Sequence, residues 1–324
     1  MEPLLSVVIP TFNRLDVLPE VLDAVEAQEG APPFELVVVD DGSSDGTAAW
    51  LDARAFRLPA QVLHQTNAGP ARARNRGVAV ARGRWVAFLG DDTVPSTGWL
   101  AAHHHAHESR GGGEELAVIG YTRWHRRMRV DAFLDYINEY GLQFGYALIE
   151  DRENVPFNFF YTSNLSLHRS RLLAEPFDER FPYAAWEDIE TSYRLSKGGQ
   201  RMIYEPAAEV EHDHPTDLAR FASRQEKAGY SAVLFYRLHP ELGGFLGLGP
   251  GGPPPELSPT AQTIRGTLAR TLQKLSFRTP KLWEEWLRGE YIRGLHRGWR
   301  DGLGGPPAGH EFAGSRESSK GDLK

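Results

Sequence analysis

Val37-Val38-Val39-Asp40-Asp41-Gly42-Ser43-Ser44-Asp45-Gly46-Thr47 decides the fold. The run from Phe34 to Val39 is rich in β-branched residues, the pattern of a strand buried on both faces. It closes on two carboxylates, and Gly42 to Thr47 is turn chemistry leading into a helix start. Upstream, Leu4 to Ile9 reads as a buried strand ended by Pro10, and residues 16–29 carry Val17, Leu18, Val21, Leu22 and Val25 at helical spacing. Downstream, Gln61 to His64 is a short strand, Ala71 to Ala81 a helix, and Arg84 to Leu89 another strand. This alternation predicts an α/β fold, a mostly parallel twisted sheet flanked by helices. The strand ending at Leu89 also meets an acidic pair, Asp91-Asp92. Ligands of open α/β sheets bind beyond the carboxyl ends of strands. Two acidic pairs there, with His212 and His214 downstream, suggest a divalent cation holding a phosphate-bearing ligand.

The pattern divides the chain into 1–110, a regularly alternating α/β half, and 111–242, a looser half. In the second half residues 116–121 read as strand, 131–150 as helix, 155–168 as β structure, 187–197 as helix and 201–210 as extended. A Gly/Pro-rich linker spans 243–258 and a helical extension 259–300; residues 301–324 are polar and Gly-rich, and expected to be disordered. The extension is expected to pack on the rest, with a dimer contact or a membrane surface as alternatives. With 324 residues, 41% hydrophobic and 24% charged, the chain is of ordinary globular composition. The net charge of −7 argues against a nucleic-acid binder, and the absence of cysteine excludes thiolate metal sites and cysteine nucleophiles. No leader and no bilayer-length apolar run are recognisable, so the expectation is a cytoplasmic protein, with peripheral contact at the inner membrane face left open.

Pro10-Thr11-Phe12-Asn13-Arg14 stands where a dinucleotide fold would carry G-x-G-x-x-G, and no P-loop lysine motif is present. Ser6 to Arg14, Val37 to Thr47, Asn67 to Gly77, Gly83 to Asp92, Phe177 to Phe181 and Trp186-Glu187-Asp188 resemble, in that order, the motifs of the family 2 glycosyltransferases. The resemblance covers roughly residues 4–240 and implies a GT-A fold in which the half 1–110 binds the nucleotide sugar and the half 111–242 binds the acceptor and carries the catalytic base, with a nucleotide-diphosphate sugar donor and Mn²⁺ or Mg²⁺ as cofactor. It also implies a saccharide or lipid-linked acceptor hydroxyl, inversion of the anomeric centre, and transfer of a hexosyl or deoxyhexosyl group. By resemblance, Thr11, Asn13, Asp41, Arg72 and Asp91 would bind the nucleotide, with Arg74 beside Arg72 directed at phosphates. Asp92 and His212 would hold the metal, and Asp188 would be the general base. Trp186, Glu187 and Asn164 would touch acceptor or sugar. The carboxylate of Asp41 suits the imide N–H of uracil or thymine, a lean toward UDP or dTDP. Many members read Asp-x-Asp at the metal strand; here Gly90 precedes Asp91-Asp92.

Plainer readings stand beside these. Asp40–Asp41 can cap a helix, with Asp40 the more structural of the two. Glu187 and Asp188 can be first-turn acids whose helix keeps Asp188 ionised, and Glu190 is a rival base. His212 is favoured over His214, against the alternative that both are loop residues. His103, His104, His105 and His107 read as a solvated helix face. Phe159 and Phe160 are assigned to the core, and Arg224 to Gly229 to a flexible segment closing on the donor. Two other functions remain: a non-catalytic sugar-nucleotide-binding scaffold, and a sugar nucleotidyltransferase. The second would want a Gly-rich, Arg-containing loop after the first strand, which the chain lacks.

Overall fold

The computed structural model describes residues 2–303. Strands are β1 Leu5–Thr11, β2 Phe34–Asp40, β3 Ala60–His64, β4 Trp85–Leu89, β5 Thr93–Pro95, β6 Leu116–Trp124, β7 Asn164–His168 and β8 Arg201–His212. Helices are α1 Leu18–Glu26, α2 Thr47–Ala53, α3 Pro70–Val80, α4 Trp99–Glu108, α5 Ala132–Glu139, α6 Arg169–Ala174, α7 Glu187–Lys197, α8 Leu218–Leu238, α9 Gly243–Leu246, α10 Pro259–Lys274 and α11 Pro280–Arg300. All eight strands form one sheet, ordered β3-β2-β1-β4-β7-β6-β8-β5. The first four pair parallel, as the βαβ alternation of residues 5–89 requires. Beyond β4 the sheet is mixed: β7 runs antiparallel to β4 and β6, β8 parallel to β6, and β5 antiparallel to β8. The sheet therefore runs without a break across the expected boundary at residue 110.

The register of β5 organises the site. Thr93 pairs with His212 and Val94 with Glu211, so the end of β8 lies beside the acidic pair that follows β4. β5 is three residues long and contains Pro95, which hid it from sequence patterning.

Residues 111–258 depart from expectation in four places. The helix expected over 131–150 ends at Glu139, with Gly141 and Gly145 at positive φ in the turn that follows. Of 155–168 only 164–168 is strand. Arg224 to Gly229 is not a flexible segment but the middle of the 21-residue α8. Gly243–Leu246 adds a helical turn within the linker.

The extension packs on the body of the molecule. A Cβ on Gly229 would come within 2.0 Å of the Tyr291 carbonyl oxygen, and one on Gly294 within 1.9 Å of that of Glu226. Only glycine permits this crossing of α8 and α11. Trp283 and Trp286 are buried against Phe133, Phe221 and Ala269. Residue 304 onward, most of the expected disordered tail, lies outside the described residues.

Candidate active site

The site lies beyond the ends of β1, β2 and β4. Asp40, expected to be structural, is buried; its carboxylate accepts from the Ser43 amide at 3.1 Å and faces His64 Nδ1 at 3.0 Å. Asp41 is also buried, and its oxygens accept from Gln65 Nε2 (2.7 Å), the Ala68 amide (2.9 Å) and the Gly69 amide (2.8 Å). It thus stitches β2 to the loop that opens α3, and a carboxylate has lone-pair capacity beyond three bonds. Asn13, at φ 55°, accepts from the Ser44 amide at 2.7 Å while its own amide donates to Ser43 Oγ at 2.8 Å. Thr11 Oγ1 is buried and without a partner, and the Phe12 ring beside it is exposed.

Asp92, His212 and His214 form a cluster that could hold a cation, their candidate ligand atoms lying within 4.8 Å of one another. Asp92 Oδ1 is 3.5 Å from His212 Nε2 and Asp92 Oδ2 is 3.1 Å from His214 Nδ1. The two imidazoles stack at 5.3 Å, and Trp124 stacks on the far face of His212 at 5.5 Å. Sequence reasoning chose between the histidines; the fold brings both in. It gave Arg14 no role, yet Arg14 Nη2 is 3.2 Å from Asp92 Oδ2 and Arg14 Nε is 3.5 Å from Asp91 Oδ1. A cation on the loop after the first strand, a few residues from Thr11, was the signal available. Asp91 also accepts from the Phe12 amide at 3.3 Å.

The two acids are electrostatically unlike. Burial, reinforced by the Asp92 charge and only partly offset by Arg14, pushes Asp91 up to about 7. Burial opposes ionisation of Asp92 too. The His212, His214 and Arg14 groups outweigh it and hold that carboxyl well below the usual range. One carboxylate and two imidazoles are a donor set that divalent cations with nitrogen affinity accept, Mn²⁺ more readily than the oxygen-seeking Mg²⁺. At Gly90, where Asp-x-Asp would have its first acid, an added Cβ would fit only tightly, 3.0 Å from Thr93 Oγ1 and 3.2 Å from Asp92 Oδ1.

Asp188 stands in the first turn of α7, partly buried, with one oxygen 2.8 Å from the Ile189 amide. The Ile189 amide at the helix start favours its ionised form but does not dominate. Burial and the neighbouring Glu187 raise it to about 7, against Arg74 and Arg224. Glu190 is set apart: buried, it holds Arg194 Nε at 2.9 Å and His239 Nε2 at 2.8 Å.

The structure gives the side chains of Asn164, Glu187, Arg74 and Trp186 partners within the protein, and leaves Arg72 exposed. Asn164 is fully buried; its Oδ1 accepts from Trp99 Nε1 at 2.7 Å and its Nδ2 donates to the carbonyls of Tyr121 and Ala208. It ties α4, β6 and β8 together and presents nothing to a ligand. Glu187 is buried and paired with Arg74 at 2.8 Å, so Arg74 faces α7 and not a phosphate. Arg72 is exposed on α3 with Glu179 4.0 Å away. Trp186 does not offer its indole N–H to a sugar but donates it to the Ala228 carbonyl at 2.9 Å. Its ring packs on Phe235 and Phe245. Its φ of 75° is costly for a bulky residue and is held by these contacts.

His103 and His107 overturn the solvated-face expectation as well. Both are buried, with His103 bonded to Asn164 Oδ1 and Ser166 Oγ, and His107 to Ser166 Oγ. Burial lowers them to about 4 and about 3. Phe159 and Phe160 are in the core as expected.

Residues 6–140 match the family described as "Glycosyl transferase family 2". This stretch of the chain is a domain of that family. Among its relatives, validoxylamine A glucosyltransferase of Streptomyces hygroscopicus subsp. limoneus is 30% identical over 281 residues, 74% of this chain and 58% of that protein. The chain thus spans about three-fifths of the length of that curated relative. Among solved structures, the mannosyltransferase PcManGT from Pyrobaculum calidifontis, in complex with GDP-Man and Mn²⁺, superposes with TM-score 0.57 at 18% identity, over 93% of this chain and 88% of that one. TarS 1-349 of S. aureus in complex with UDP gives 0.52 at 16% identity, over 93% and 92%. These likenesses establish the GT-A fold for this chain. Among its described residues no helix is long and apolar enough to cross a membrane.

Proposed function

We propose that this protein transfers a hexosyl or deoxyhexosyl group from a nucleotide-diphosphate donor to an acceptor hydroxyl, with inversion at the anomeric carbon. The observation that carries the reading is the pairing of a triad fit for a cation, Asp92–His212–His214, with a separate carboxylate, Asp188, held near neutrality. The two ends share one field: Asp188, Glu187 and Asp92 all act on Arg224.

Thr11, Asn13 and Asp41 form the nucleotide wall, with the Phe12 ring exposed to stack on the base. Asp41 suits the imide N–H of uracil or thymine, and Asp91 faces the ribose. Asp92, His212 and His214 would hold a divalent cation, Mn²⁺ in preference to Mg²⁺, which when bound neutralises charge on the diphosphate. Asp188 takes the acceptor hydroxyl proton as that oxygen attacks the anomeric carbon and the nucleoside diphosphate departs. The ion pairs of Glu190 favour Asp188 over it as base. Mn²⁺ with GDP-Man in one structural neighbour, UDP in another and glucosyl transfer in the name of a relative support metal use and a hexosyl donor.

The test is a thermal-shift panel of nucleoside diphosphates and their sugars, with and without Mn²⁺, on the wild type and Asp92→Ala. A ligand at 100 times its dissociation constant stabilises by about 2.7 kcal/mol. The expected outcome is a shift with one nucleotide that needs metal and disappears in Asp92→Ala. Product analysis then expects free nucleoside diphosphate. Binding without turnover would make the protein a scaffold, and a metal-independent shift would overturn the seat.

A further inference from the structure

We infer that α10 and the turn after it form a docking surface for an anionic lipid bilayer. From Leu257 to Trp283 the sequence holds five basic residues, Arg265, Arg270, Lys274, Arg278 and Lys281, and no Asp or Glu, in a chain whose net charge is −7. The two faces of α10 are both accounted for by helical geometry. Gln262, Gly266 and Ala269 are buried: Gln262 Nε2 donates to the Trp286 carbonyl at 3.2 Å, and a Cβ on Gly266 would meet the Trp286 ring at 2.7 Å. That face belongs to α11. Ile264, Leu268 and Leu275 fall within an arc of roughly 40° on the opposite side. They are 62%, 47% and 62% exposed, and Phe277 just beyond them is 57% exposed.

A packed helix has no need of a second apolar stripe turned to water, and large apolar groups clustered at a surface mark a contact. The basic residues flank it, Arg265 on one side and Arg270 and Lys274 on the other. Among the described residues no carboxylate lies within 4 Å of Lys274, Arg278 or Lys281, and Arg265 has only Glu285 at 3.5 Å. An apolar stripe bordered by unneutralised cations is complementary to an anionic headgroup layer over acyl chains. A second copy of this chain would set five cations against five.

The surface is continuous with the site. Phe277, Ser276 and Val130 line a cavity of about 240 Å³ with Arg129, which also lines a cleft of about 660 Å³ reaching Arg14. Gln273 Nε2 donates to Asp131 Oδ2 at 2.8 Å and ties α10 to that rim. Docking on this face puts the bilayer beside the cleft, a corollary that rests on the glycosyl-transfer reading; the docking itself does not.

Co-sedimentation of the full chain with vesicles tests it, with no substrate present. The expected result is binding to vesicles of 70% phosphatidylcholine and 30% phosphatidylglycerol at 0.1 M salt, and little to pure phosphatidylcholine. Ile264→Ser/Leu268→Ser/Leu275→Ser, with an unchanged melting temperature, binds about tenfold more weakly or worse. Lys274→Glu/Lys281→Glu loses the preference for the anionic lipid. Failure of the wild type to sediment, or equal binding by the triple variant, overturns the inference. So does a wild-type dimer in light scattering that the triple variant dissolves, which would make the face a self-interface.

Discussion

At the residue scale, the pair that matters most is Asp188 and Glu190, two positions apart on one helix and opposite in circumstance. Glu190 is spent on Arg194 and His239; Asp188 is left with a backbone amide and a raised proton affinity. A base must be ionised to work, so the rate is expected to rise with pH through about 7 and then level, provided donor and metal saturate. Asp188→Asn keeps the shape and removes the base: turnover should fall at least about a hundredfold while the nucleotide-dependent thermal shift persists. Loss of both together would assign Asp188 to binding. Thr11, Asn13, Asp41 and Asp91 lie at or just past strand ends that the hydrophobic pattern marks, so their place in the fold was legible in the sequence, whereas the nucleotide role came from the family resemblance. Asn164 and Trp186 were misread for a common reason. A residue type suited to sugar contact is equally suited to satisfying buried backbone carbonyls, and only the fold tells which it does.

At the element scale, the parallel strands and their helices followed from periodicity, whereas β5 and α8 did not. A three-residue strand with a proline has no period to detect. Helix α8 carries four charged residues between Arg220 and Lys227, which read as a loop, yet α11 covers it through glycine contacts formed about 65 residues apart in sequence. That crossing makes Gly294→Ala a sharp probe. Its Cβ would stand 1.9 Å from the Glu226 oxygen, so the helices must part. A loss of about 1–3 kcal/mol is expected in chemical denaturation, with a lowered melting temperature. An exposed glycine such as Gly244, with nothing near its Cβ, should tolerate alanine.

At the scale of the whole molecule, stability should fail on the acid side for a reason unrelated to catalysis. His103 and His107 are buried neutral, at about 4 and about 3, whereas in the unfolded chain each takes a proton near 6.5. The unfolded state therefore binds more protons below about 6.5, and stability is full above that pH and lost as pH falls toward 4. Each histidine removes on the order of 1.4 kcal/mol per pH unit in that window. Denaturation midpoints measured between pH 7 and 5 should drop steeply, and His103→Gln/His107→Gln should flatten the slope. An unchanged slope would place the acid sensitivity elsewhere. The His run itself was visible in the sequence, but not the Asn164–Ser166 partners on β7 that turn it inward.

The pairing of Thr93 with His212 has a consequence for folding. Asp92 and His214 are 122 residues apart in the chain, and closing a loop of that length costs on the order of 4 kcal/mol in chain entropy. The family match stops at residue 140, short of Asp188 and both histidines. A nascent chain of that length holds Thr11, Asn13, Asp41 and the Asp91–Asp92 pair, but neither His212, His214 nor Asp188. Topology thus assembles the Asp92–His212–His214 cluster only where β5 and β8 have paired, so under the proposed metal role an ion would favour chains that have already closed the sheet.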